Sequence, residues 1–567
     1  MLVTAPSRRS TPWARLAACW RANPGLTVVV VLALALGLLL RLYALGRGTI
    51  NSDEAVVGLI AQQILHGHFF AFYWAQNYGG TEVYAVAVVF ALFGSSAFTL
   101  GLTTVLLCAA SAAILWRIGN RLFGSPVGAV AAMAFWVWPE PYVTYYDHGD
   151  GFRWVVLICG LLVFLTVLRI GDGEGNRLDW LALGLGAGVG WWSSPEMAYF
   201  LAPGGVYLVA RIAKRRAKVS LGSLVLGIGA LCLGSLPWWW HNILHHFDSL
   251  ASVPQPSPPG PGGAYWWHLG IFDRYVLPIV LGLRTRGSGA WVVPSNLTPH
   301  LVNVVIVVLA AWLVYLAAHG RAWLLVLFVA AFPFLYAAQP FTWYWRDARY
   351  AIFLAPLLAL VVVSLVCEAG MWALGYVASA PAVMAGLVLV AALGLTLVAA
   401  KDEQPYKRLP AWPAVERTSW LSWHANPNNL PTDLADSLVR WHVRYAFSSY
   451  WLGYDVGFLS DGRVIVSPAG PVFVRYPPYY RAIAASAAPA WIFVRPALER
   501  EAAVEAGTTA LDPGCVAPGQ QCLSIPEILE WCEARDIICS MLYSGPYVVV
   551  IPAERVLPTK ILPCFGI

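Results

Sequence analysis

Charged residues are scarce in this chain of 567 residues, since Asp, Glu, Lys and Arg together make up only 12% of it. Soluble domains carry about 25% charged residues, whereas 59% of this chain is hydrophobic. The composition therefore excludes a soluble protein and predicts one that crosses a membrane many times. Lysine is especially rare, with five residues against thirty-one arginines. Together with abundant alanine and glycine, this bias indicates a GC-rich and hence bacterial genome.

Features typical of several other protein classes are missing as well. The formal net charge is only +6, and the basic residues are spread over short loops, so nucleic acid is not expected as a partner. The sequence has no phosphate-binding loop and no dinucleotide fingerprint, so no nucleotide cofactor is indicated. The first apolar run is too long for a cleaved signal peptide, which predicts a retained first helix.

Apolar stretches long enough to cross the hydrocarbon core of a bilayer recur over the first 400 residues. We predict about eleven transmembrane helices, at 26–46, 96–116, 124–140, 152–169, 179–194, 197–211, 219–239, 300–318, 321–338, 350–368 and 381–400. Two of these share the interruption Ser193-Ser194-Pro195-Glu196, so ten or twelve helices also fit. Short loops rich in Arg and Lys mark the cytoplasmic side, which places residues 1–25 in the cytoplasm.

The outer side of the membrane then receives most of the polar chain. A first outer loop covers residues 47–95, and a large one covers 241–299. Within the first loop, residues 53–66 and 81–93 carry apolar side chains at near-helical spacing, which predicts two amphipathic helices lying at the membrane interface.

The composition changes at residue 401, where Trp, Pro, Asn and Asp become more frequent. Strand-like runs at 463–466 and 547–551 predict a mixed α/β domain over 401–567, outside the membrane and after the transmembrane module of 26–400. Five of the ten cysteines lie in this segment. An oxidising outer compartment would permit the pairs Cys515–Cys522 and Cys532–Cys539.

An adjacent pair of acids, Asp53 and Glu54, follows the first predicted helix. Carboxylates beside a membrane are costly unless they face water or a reactive cavity. A general base needs such a carboxylate within reach of a hydroxyl, in a site that tunes its pKa. The other interpretation is a helix cap, with Ser52 or Asp53 at the N-cap and Glu54 in the first turn. Both interpretations can hold together.

Two further outer segments carry polar groups. Asp147, His148 and Asp150 could bind a divalent cation or position a sugar, although tight loops also use Asp for turn geometry. Arg346 and Arg349 lie among aromatic residues where a helix re-enters the membrane. Their guanidinium groups suit a phosphate, and an interfacial anchor belt is the alternative.

Smaller signals are Glu82, Arg41 near the outer end of the first span, and His268 in the large loop. Arg41 could also simply extend its charge to the membrane surface. His241, His245 and His246 resemble part of a metal cluster, but no ligand set of known spacing completes it. The metal therefore stays unassigned.

The succession of Asp53-Glu54, Gly79-Gly80-Thr81-Glu82, the acids of 147–150 and Arg349-Tyr350 resembles the GT-C glycosyltransferases. The likeness covers roughly residues 26–400 and is greatest to a family 39-like branch, the protein O-mannosyltransferases and lipid A aminoarabinose transferases. The lysine-proline-proline segment common in related enzymes is replaced here by Gly79–Glu82, so the acceptor does not carry over.

The resemblance implies an inverting glycosyltransferase of the cell membrane with its active site on the outer face. Its donor would be a polyprenyl-phosphate sugar, and its acceptor a glycan, lipid or protein hydroxyl. Asp53 would be the base, assisted by Glu54, and Arg349 with Arg346 or Arg41 would hold the phosphate. The remaining residues implied in substrate binding are Glu82, Asp147, His148, Asp150, Tyr350 and His268.

Two other functions compete with this interpretation. A lipid or glycan flippase would want charges at mid-membrane, broken helices and repeat symmetry, and only the Ser194-Pro195 break favours it. A non-catalytic protein of envelope glycan assembly, which would use the tail for recognition, is not excluded by the sequence.

Overall fold

The computed structural model is mostly helical in the residues that it describes. These are 23–45, 50–138, 151–217, 219–250, 264–285, 289–339, 342, 348–373, 380–402, 430–469, 474–494, 525–545 and 547–557. The chain forms two compact units, described here separately. Unit 1 comprises residues 1–43, 105–146 and 153–403, and unit 2 comprises 44–104, 147–152 and 404–567.

Helices dominate the chain up to residue 402. They are α1 (Pro24–Leu45), α2 (Ser52–Leu65), α3 (Glu82–Phe93), α4 (Ala97–Phe123), α5 (Ser125–Val137), α6 (Arg153–Gly171), α7 (Arg177–Ser193), α8 (Ala198–Ala213), α9 (Leu221–Gly234), α10 (Leu236–Leu244), α11 (Ala264–Ile271), α12 (Leu277–Val280), α13 (Thr298–Ala318), α14 (Trp323–Ala338), α15 (Ala355–Ala373) and α16 (Ala380–Asp402). Each of the eleven stretches predicted as a membrane helix overlaps one of these helices, and the stretch 219–239 overlaps both α9 and α10.

Length and composition separate these helices into two groups. Among the described residues, α1, α4, α6, α13 and α15 are long and apolar enough to cross a bilayer. The pair α9 and α10, bent by 58°, is a sixth candidate. Others are apolar but short, such as α5 with its 13 residues; at 1.5 Å per residue it is about 20 Å long. The protein is thus a multi-pass membrane protein, and the number of eleven crossings stays a prediction.

In unit 1, close helix packing depends on glycine. A Cβ at Gly184 of α7 would overlap the main-chain oxygen of Gly227 on α9, and one at Gly188 would overlap that of Leu231. Helices inside a membrane gain little from hydrophobic burial against each other, so small residues that let backbones approach closely are favoured there. The two glycines, one turn apart on α7, therefore let α9 lie directly against it.

Aromatic side chains fill the space between α8 and α14 in the same unit. The ring centroids of Tyr199 and Phe332 lie 4.7 Å apart, and those of Phe200 and Phe328 lie 4.9 Å apart. Such contacts bury large apolar areas in preferred ring geometries.

Ion pairs join helix ends of unit 1. Asp172 pairs with Arg121 at 2.9 Å and with Arg211 at 2.8 Å, and these belong to the ends of α4 and α8. The basic segments at the ends of α4 and α8, both predicted to be cytoplasmic, thus lie at the same end of this unit.

Unit 2 contains the elements of the C-terminal segment. They are α17 (Leu430–Arg440), β1 (Tyr445–Ser448), α18 (Tyr450–Leu459), β2 (Ile465–Pro468), α19 (Pro477–Ala485), β3 (Ala490–Val494), α20 (Ile525–Glu533), β4 (Cys539–Ser544) and β5 (Tyr547–Pro552). The five strands form one mixed sheet in the order β2-β1-β3-β5-β4. β1 is parallel to β2 and β3, whereas β5 is antiparallel to β3 and β4.

Alternating side chains of the strands build two cores, one on each face of the sheet. Ala446 and Val549 face α17 and α18 on one side. Phe447 and Val548 face α19 and α20 on the other. This α/β/α layering follows from the two-residue period of a strand, which sends neighbouring side chains to opposite faces. The strands predicted at 463–466 and 547–551 are confirmed, the first shifted by two residues.

Helix α2 is buried inside unit 2. Apolar residues on all its sides, including Val56, Val57 and Ile60, are 0% exposed. They pack with α3 and with Tyr454 and Phe458 of α18. The helices predicted at 53–66 and 81–93 are therefore confirmed as helices, but the interfacial placement of the first needs correction. Protein surrounds α2 because the C-terminal segment, distant in sequence, covers it.

A disulfide bond joins the end of α20 to the start of β4. It links Cys532 and Cys539, which confirms one of the two predicted pairs. Cys515 and Cys522 lie outside the described residues.

The contact between α2 and α18 gives a test of this packing. A Cβ at Gly58 would overlap the ring of Phe458, and overpacking a filled core costs about 1–3 kcal/mol. We expect Gly58→Ala to lower the thermal unfolding temperature of the purified full-length protein in detergent.

Gly222→Ala is the control, because a Cβ there would meet open space on another helix. Equal unfolding temperatures for the two variants would contradict the packing described. The double variant Gly58→Ala/Phe458→Leu should recover part of the loss.

Candidate active site

The acid pair lies at the start of α2, and its cap differs from the one predicted. Asn51, not Ser52 or Asp53, is the N-cap, and it forms a capping box with Glu54. The Glu54 nitrogen donates to Asn51 Oδ1 at 3.1 Å, and the Asn51 nitrogen donates to Glu54 Oε2 at 2.8 Å. Two N–H groups that the helix leaves without partners are satisfied in this way. Glu54 thus serves the helix end, and the cap does not use the side chain of Asp53.

The carboxylate of Asp53 is held by the C-terminal segment. The hydroxyl of Tyr450, the first residue of α18, donates a hydrogen bond to Asp53 Oδ1. Tyr73 donates to the main-chain oxygen of Asp53 at 2.8 Å. Asp53 is half-buried, whereas Tyr450 is 3% exposed. Side chain and backbone of Asp53 are thus both oriented by tyrosines.

A third carboxyl group, that of Asp455, lies beside the pair. Ser52 donates to Asp455 Oδ1 at 2.8 Å, and Asp455 is 2% exposed. Burial raises the pKa of Asp455 well above its ordinary value of 3.8, and the charges of Glu54 and Asp53 add to this, although the hydrogen bond from Ser52 opposes it. The folded protein therefore holds the proton of Asp455 more tightly than the unfolded chain does.

Arg475 supplies positive charge to this group of acids. Its guanidinium lies 5.3 Å from the ring centroid of Tyr450. Burial lowers the pKa of Arg475, but the interactions with Tyr450, Asp53 and Tyr73 outweigh burial and raise it. The Arg475 nitrogen donates to the hydroxyl of Tyr454 at 2.7 Å, which fixes the backbone at this position.

Aromatic stacking fastens the same segment to the first loop. The rings of Trp74 and Tyr476 stack with centroids 4.2 Å apart and planes 12° apart. Trp74 also meets Tyr479 edge-on at 5.7 Å.

Glu82, predicted to bind substrate, is the first residue of α3 and is 0% exposed.

A second polar group lies in unit 1, at the break between α7 and α8. The interruption at Ser194-Pro195 forms a single 3-10 turn, Pro195–Met197, capped by Ser194. Glu196 of this turn lies 3.7 Å from Arg153, and both are 5% exposed. The charge of Arg349 also acts on Glu196. Tyr350 lies under the Arg153 guanidinium, 4.8 Å from it.

Two arginines of this group, Arg153 and Arg349, act on the carboxylate of Glu196. Guanidinium groups bind phosphate oxygens in pairs. The group therefore suits a phosphate.

Arg41 has a packing role in unit 1. It is 1% exposed, donates to the main-chain oxygens of Gly37 and Trp136 at 3.0 and 2.6 Å, and lies 3.9 Å from the ring centroid of Trp136. It does not extend to a membrane surface. Beside it, an apolar cavity of about 290 Å³ lies between α1, α4 and α5, which suits a hydrocarbon chain.

His268 of α11 is also buried, with 2% exposed. Its Nδ1 lies 3.2 Å from the main-chain oxygen of Ala337 and 3.1 Å from the hydroxyl of Thr342. The predicted residues Asp147, His148, Asp150 and Arg346 lie outside the described residues.

Several residues of these two groups were missed by reasoning from the sequence. They are Arg153, Glu196, Tyr450, Asp455 and Arg475. Arg153 and Glu196 carried a signal, because each is a charged residue at the end of an apolar stretch. The other three lie in a segment with a soluble composition, where charged and aromatic residues are ordinary.

Among the described residues, His241, His245 and Asp248 are a group that could hold a metal ion. Their ligand atoms lie within 4.8 Å of one another. Asp248 supplies a further ligand that the sequence spacing of the histidines did not reveal.

Known proteins resemble this chain in sequence and in fold. Residues 82–240 match the profile of the dolichyl-phosphate-mannose-protein mannosyltransferase family. ArnT from Cupriavidus metallidurans, in its apo state, has a TM-score of 0.57 at 13% identity, with 93% of this chain and 98% of that one covered. The same protein bound to undecaprenyl phosphate gives the same TM-score and identity, with 92% and 97% covered.

The chain therefore has the fold of ArnT over almost its whole length.

A curated relative also matches part of the chain in sequence. It is undecaprenyl phosphate-alpha-4-amino-4-deoxy-L-arabinose arabinosyl transferase 1 of Pseudomonas fluorescens, which is 26% identical over 288 residues. The match covers 46% of this chain, and the chain spans about half the length of the relative.

The carboxyl group of Asp455 gives the protein a testable pH dependence. Its raised pKa means that the folded protein keeps a proton that the unfolded chain releases above about pH 4. Stability from this group is complete below that pH and is lost as the pH rises toward the folded-state pKa. We expect the stability of Asp455→Asn, relative to the wild type, to increase between pH 5 and pH 8 in thermal unfolding.

Asp536→Asn is the control, because Asp536 is exposed and Asn tolerates its left-handed backbone. If Asp455→Asn and the wild type lose stability in parallel over this pH range, Asp455 is ionised in the folded protein.

Proposed function

We propose that this protein is an inverting glycosyltransferase that moves a sugar from a polyprenyl-phosphate donor to an acceptor hydroxyl. The observation that carries the proposal is the position of Asp53. Its carboxylate stands at a helix N-terminus, half-buried and oriented by Tyr450 and Tyr73. Such fixed geometry is what a general base needs.

The reaction requires one proton acceptor and one anion site. Asp53 takes the proton of the acceptor hydroxyl while its oxygen attacks the anomeric carbon. The bond from that carbon to the phosphate oxygen breaks, and the polyprenyl phosphate leaves with the electron pair. Attack from the side opposite to the phosphate inverts the anomeric centre.

Electrostatics supports both halves of this mechanism. The leaving phosphate gains negative charge, which guanidinium groups are suited to stabilise. The anomeric carbon gains positive charge, for which a carboxylate is suited. In a site of low dielectric constant both effects are larger than in water.

The comparisons support the choice of donor. The matched family is named for dolichyl-phosphate-mannose, the curated relative for an undecaprenyl-phosphate aminoarabinose, and ArnT is described with undecaprenyl phosphate bound. All three names contain a polyprenyl phosphate. We extend this donor class to the present chain and leave the sugar and the acceptor open among glycan, lipid and protein.

We also propose the outer face of the cell membrane as the place of the reaction. The basic loops at the end of unit 1 marked by Arg121 and Arg211 would be cytoplasmic. The disulfide Cys532–Cys539 supports an oxidising compartment for the C-terminal segment, since disulfides persist outside the cytosol.

The base can be tested by Asp53→Asn. Loss of a general base lowers rates by about 100-fold to 10,000-fold, so we expect release of undecaprenyl phosphate to fall at least about 100-fold. The assay uses purified protein in vesicles, undecaprenyl-phosphate-linked mannose and 4-amino-4-deoxy-arabinose as donors, bacterial membranes as acceptor, and mass spectrometry of the lipid product.

Asp461→Asn serves as the matched control, because Asp461 lies at the C-terminal end of α18 and its carboxylate is bonded to Gln62 instead. Undiminished transfer by Asp53→Asn would reject Asp53 as the base. Lipid transport by the wild type without any sugar transfer would favour a flippase.

A further inference from the structure

The first inference concerns the C-terminal segment and rests on the proposed function. Asp53 and Tyr450 are 397 residues apart in sequence and are joined by a side-chain hydrogen bond. Tyr450 is 3% exposed. A buried hydroxyl must find a partner, and here its partner is the group expected to do the chemistry.

Tyr450 is suited to remain a donor. Burial raises its pKa well above 10.0, and the charge of Asp53 raises it further, with Arg475 opposing. The phenol is thus neutral at physiological pH and donates its proton to the hydrogen bond with the Asp53 carboxylate. Arg475 adds a positive charge close to both groups.

The backbone around Arg475 is held in place at the residue itself and at the residue that follows it. Tyr454 accepts its backbone N–H at 2.7 Å, and the next residue, Tyr476, stacks on Trp74 of the first loop. The other titratable groups around Asp53 are Glu54 on its own helix, Tyr73 on the loop and Asp455 on α18.

We propose that Tyr450 and Arg475 are positioning residues that orient the carboxylate of Asp53. The C-terminal segment is then a part of the catalytic machinery and more than an appended domain. Tyr450 acts by its hydroxyl and Arg475 by its charge.

The test compares Tyr450→Phe with the wild type, using the donor that the wild type turns over. Loss of a hydrogen bond to a charged group corresponds to about a tenfold change. We expect kcat to fall about tenfold with KM unchanged. The acid limb of the rate profile should move to higher pH, because a carboxylate without its donor takes up a proton more readily.

Arg475→Met should move the acid limb in the same direction, and Arg475→Lys should restore most of the wild-type profile. Tyr480→Phe is the matched control, since Tyr480 lies in the core on the other face of the sheet. Adding Tyr450→Phe to Asp53→Asn should cause little further loss.

The outcomes separate the two proposals. A wild-type pH profile and rate in both Tyr450→Phe and Arg475→Met, with Asp53→Asn inactive, overturns the positioning role and leaves the proposed function intact. Full activity of Asp53→Asn overturns the proposed base. If Tyr450→Phe fails to fold, the Arg475→Met and Arg475→Lys pair decides.

A different observation, in unit 1, carries a second inference that is independent of the reaction. His241 on α10 and His245 at its C-cap are one helical turn apart, and their rings stack with centroids 4.3 Å apart. Positions i and i+4 lie on the same face of a helix. Two histidines with this spacing are a known zinc-binding arrangement.

The chain after α10 turns back and supplies a third ligand. His246 and Phe247 both have left-handed backbones, with φ of 52° and 60°. This turn brings Asp248 Oδ1 to 3.2 Å from His241 Nε2. Two imidazoles and one carboxylate are a typical protein ligand set for zinc.

Asn242, the residue after His241, argues against a hydrolytic role for this group. In zinc hydrolases with the same histidine spacing, the residue after the first histidine is a glutamate that acts as the base. Here it is Asn242, which is 0% exposed and donates to the main-chain oxygen of Trp238 at 2.8 Å. The group therefore has no hydrolytic base at this position.

We infer that His241, His245 and Asp248 form a structural site for Zn²⁺ or a similar divalent transition-metal ion. The ion would tie the end of the bent pair α9 and α10 to the turn that follows it. Exposed tryptophans at 239 and 240 flank the site, as is common at a membrane interface.

The test uses purified full-length protein treated with EDTA, titrated with ZnCl₂ by calorimetry and with CoCl₂ by visible absorption. We expect one equivalent to bind, the Co²⁺ spectrum of a site with nitrogen and oxygen ligands, and a higher unfolding temperature with Zn²⁺. His245→Ala should weaken binding at least about tenfold.

His246→Asn is the matched control and should bind as the wild type does, because His246 is adjacent but outside the ligand set. Binding by the wild type no tighter than by His241→Ala/His245→Ala would overturn the site. Equal loss in His246→Asn and His245→Ala would overturn the assignment of ligands.

Discussion

The packing of unit 2 depends on how it buries the polar N-terminal end of helix α2. Asp53, Glu54 and Asp455 bring three carboxyl groups to the start of α2, and buried carboxylates are costly unless they are hydrogen-bonded or paired. The structure meets this cost in three ways. Asn51 forms the capping box with Glu54, Tyr450 and Arg475 interact with Asp53, and the raised pKa of Asp455 favours its uncharged form.

This arrangement explains why the first loop and the C-terminal segment form one compact unit. Helix α2 is apolar on all sides and needs cover all around. α18 provides it, with the ring of Phe458 lying where only a glycine, Gly58, leaves room. The same helix begins with Tyr450, so apolar packing on the flank of α2 and polar bonding at its end come from one element.

Unit 1 solves a different problem, since its helices have apolar surfaces on most sides. Glycines such as Gly184 permit close packing, and most charges lie at helix ends, as the pairs of Asp172 show. The buried pair of Arg153 and Glu196 is an exception.

The sequence by itself determined the helices of unit 1, because a run of apolar residues of membrane length is a local property. The acid pair Asp53-Glu54 was also recognisable from the sequence, as two charges beside an apolar run. The strand at 547–551 was recognisable as well. Only the tertiary structure decided the surroundings of Asp53, the cover of α2 and the strand order of the sheet. Contacts such as Tyr450 to Asp53 join residues 397 positions apart, and no local pattern encodes the partner of a hydroxyl at that distance.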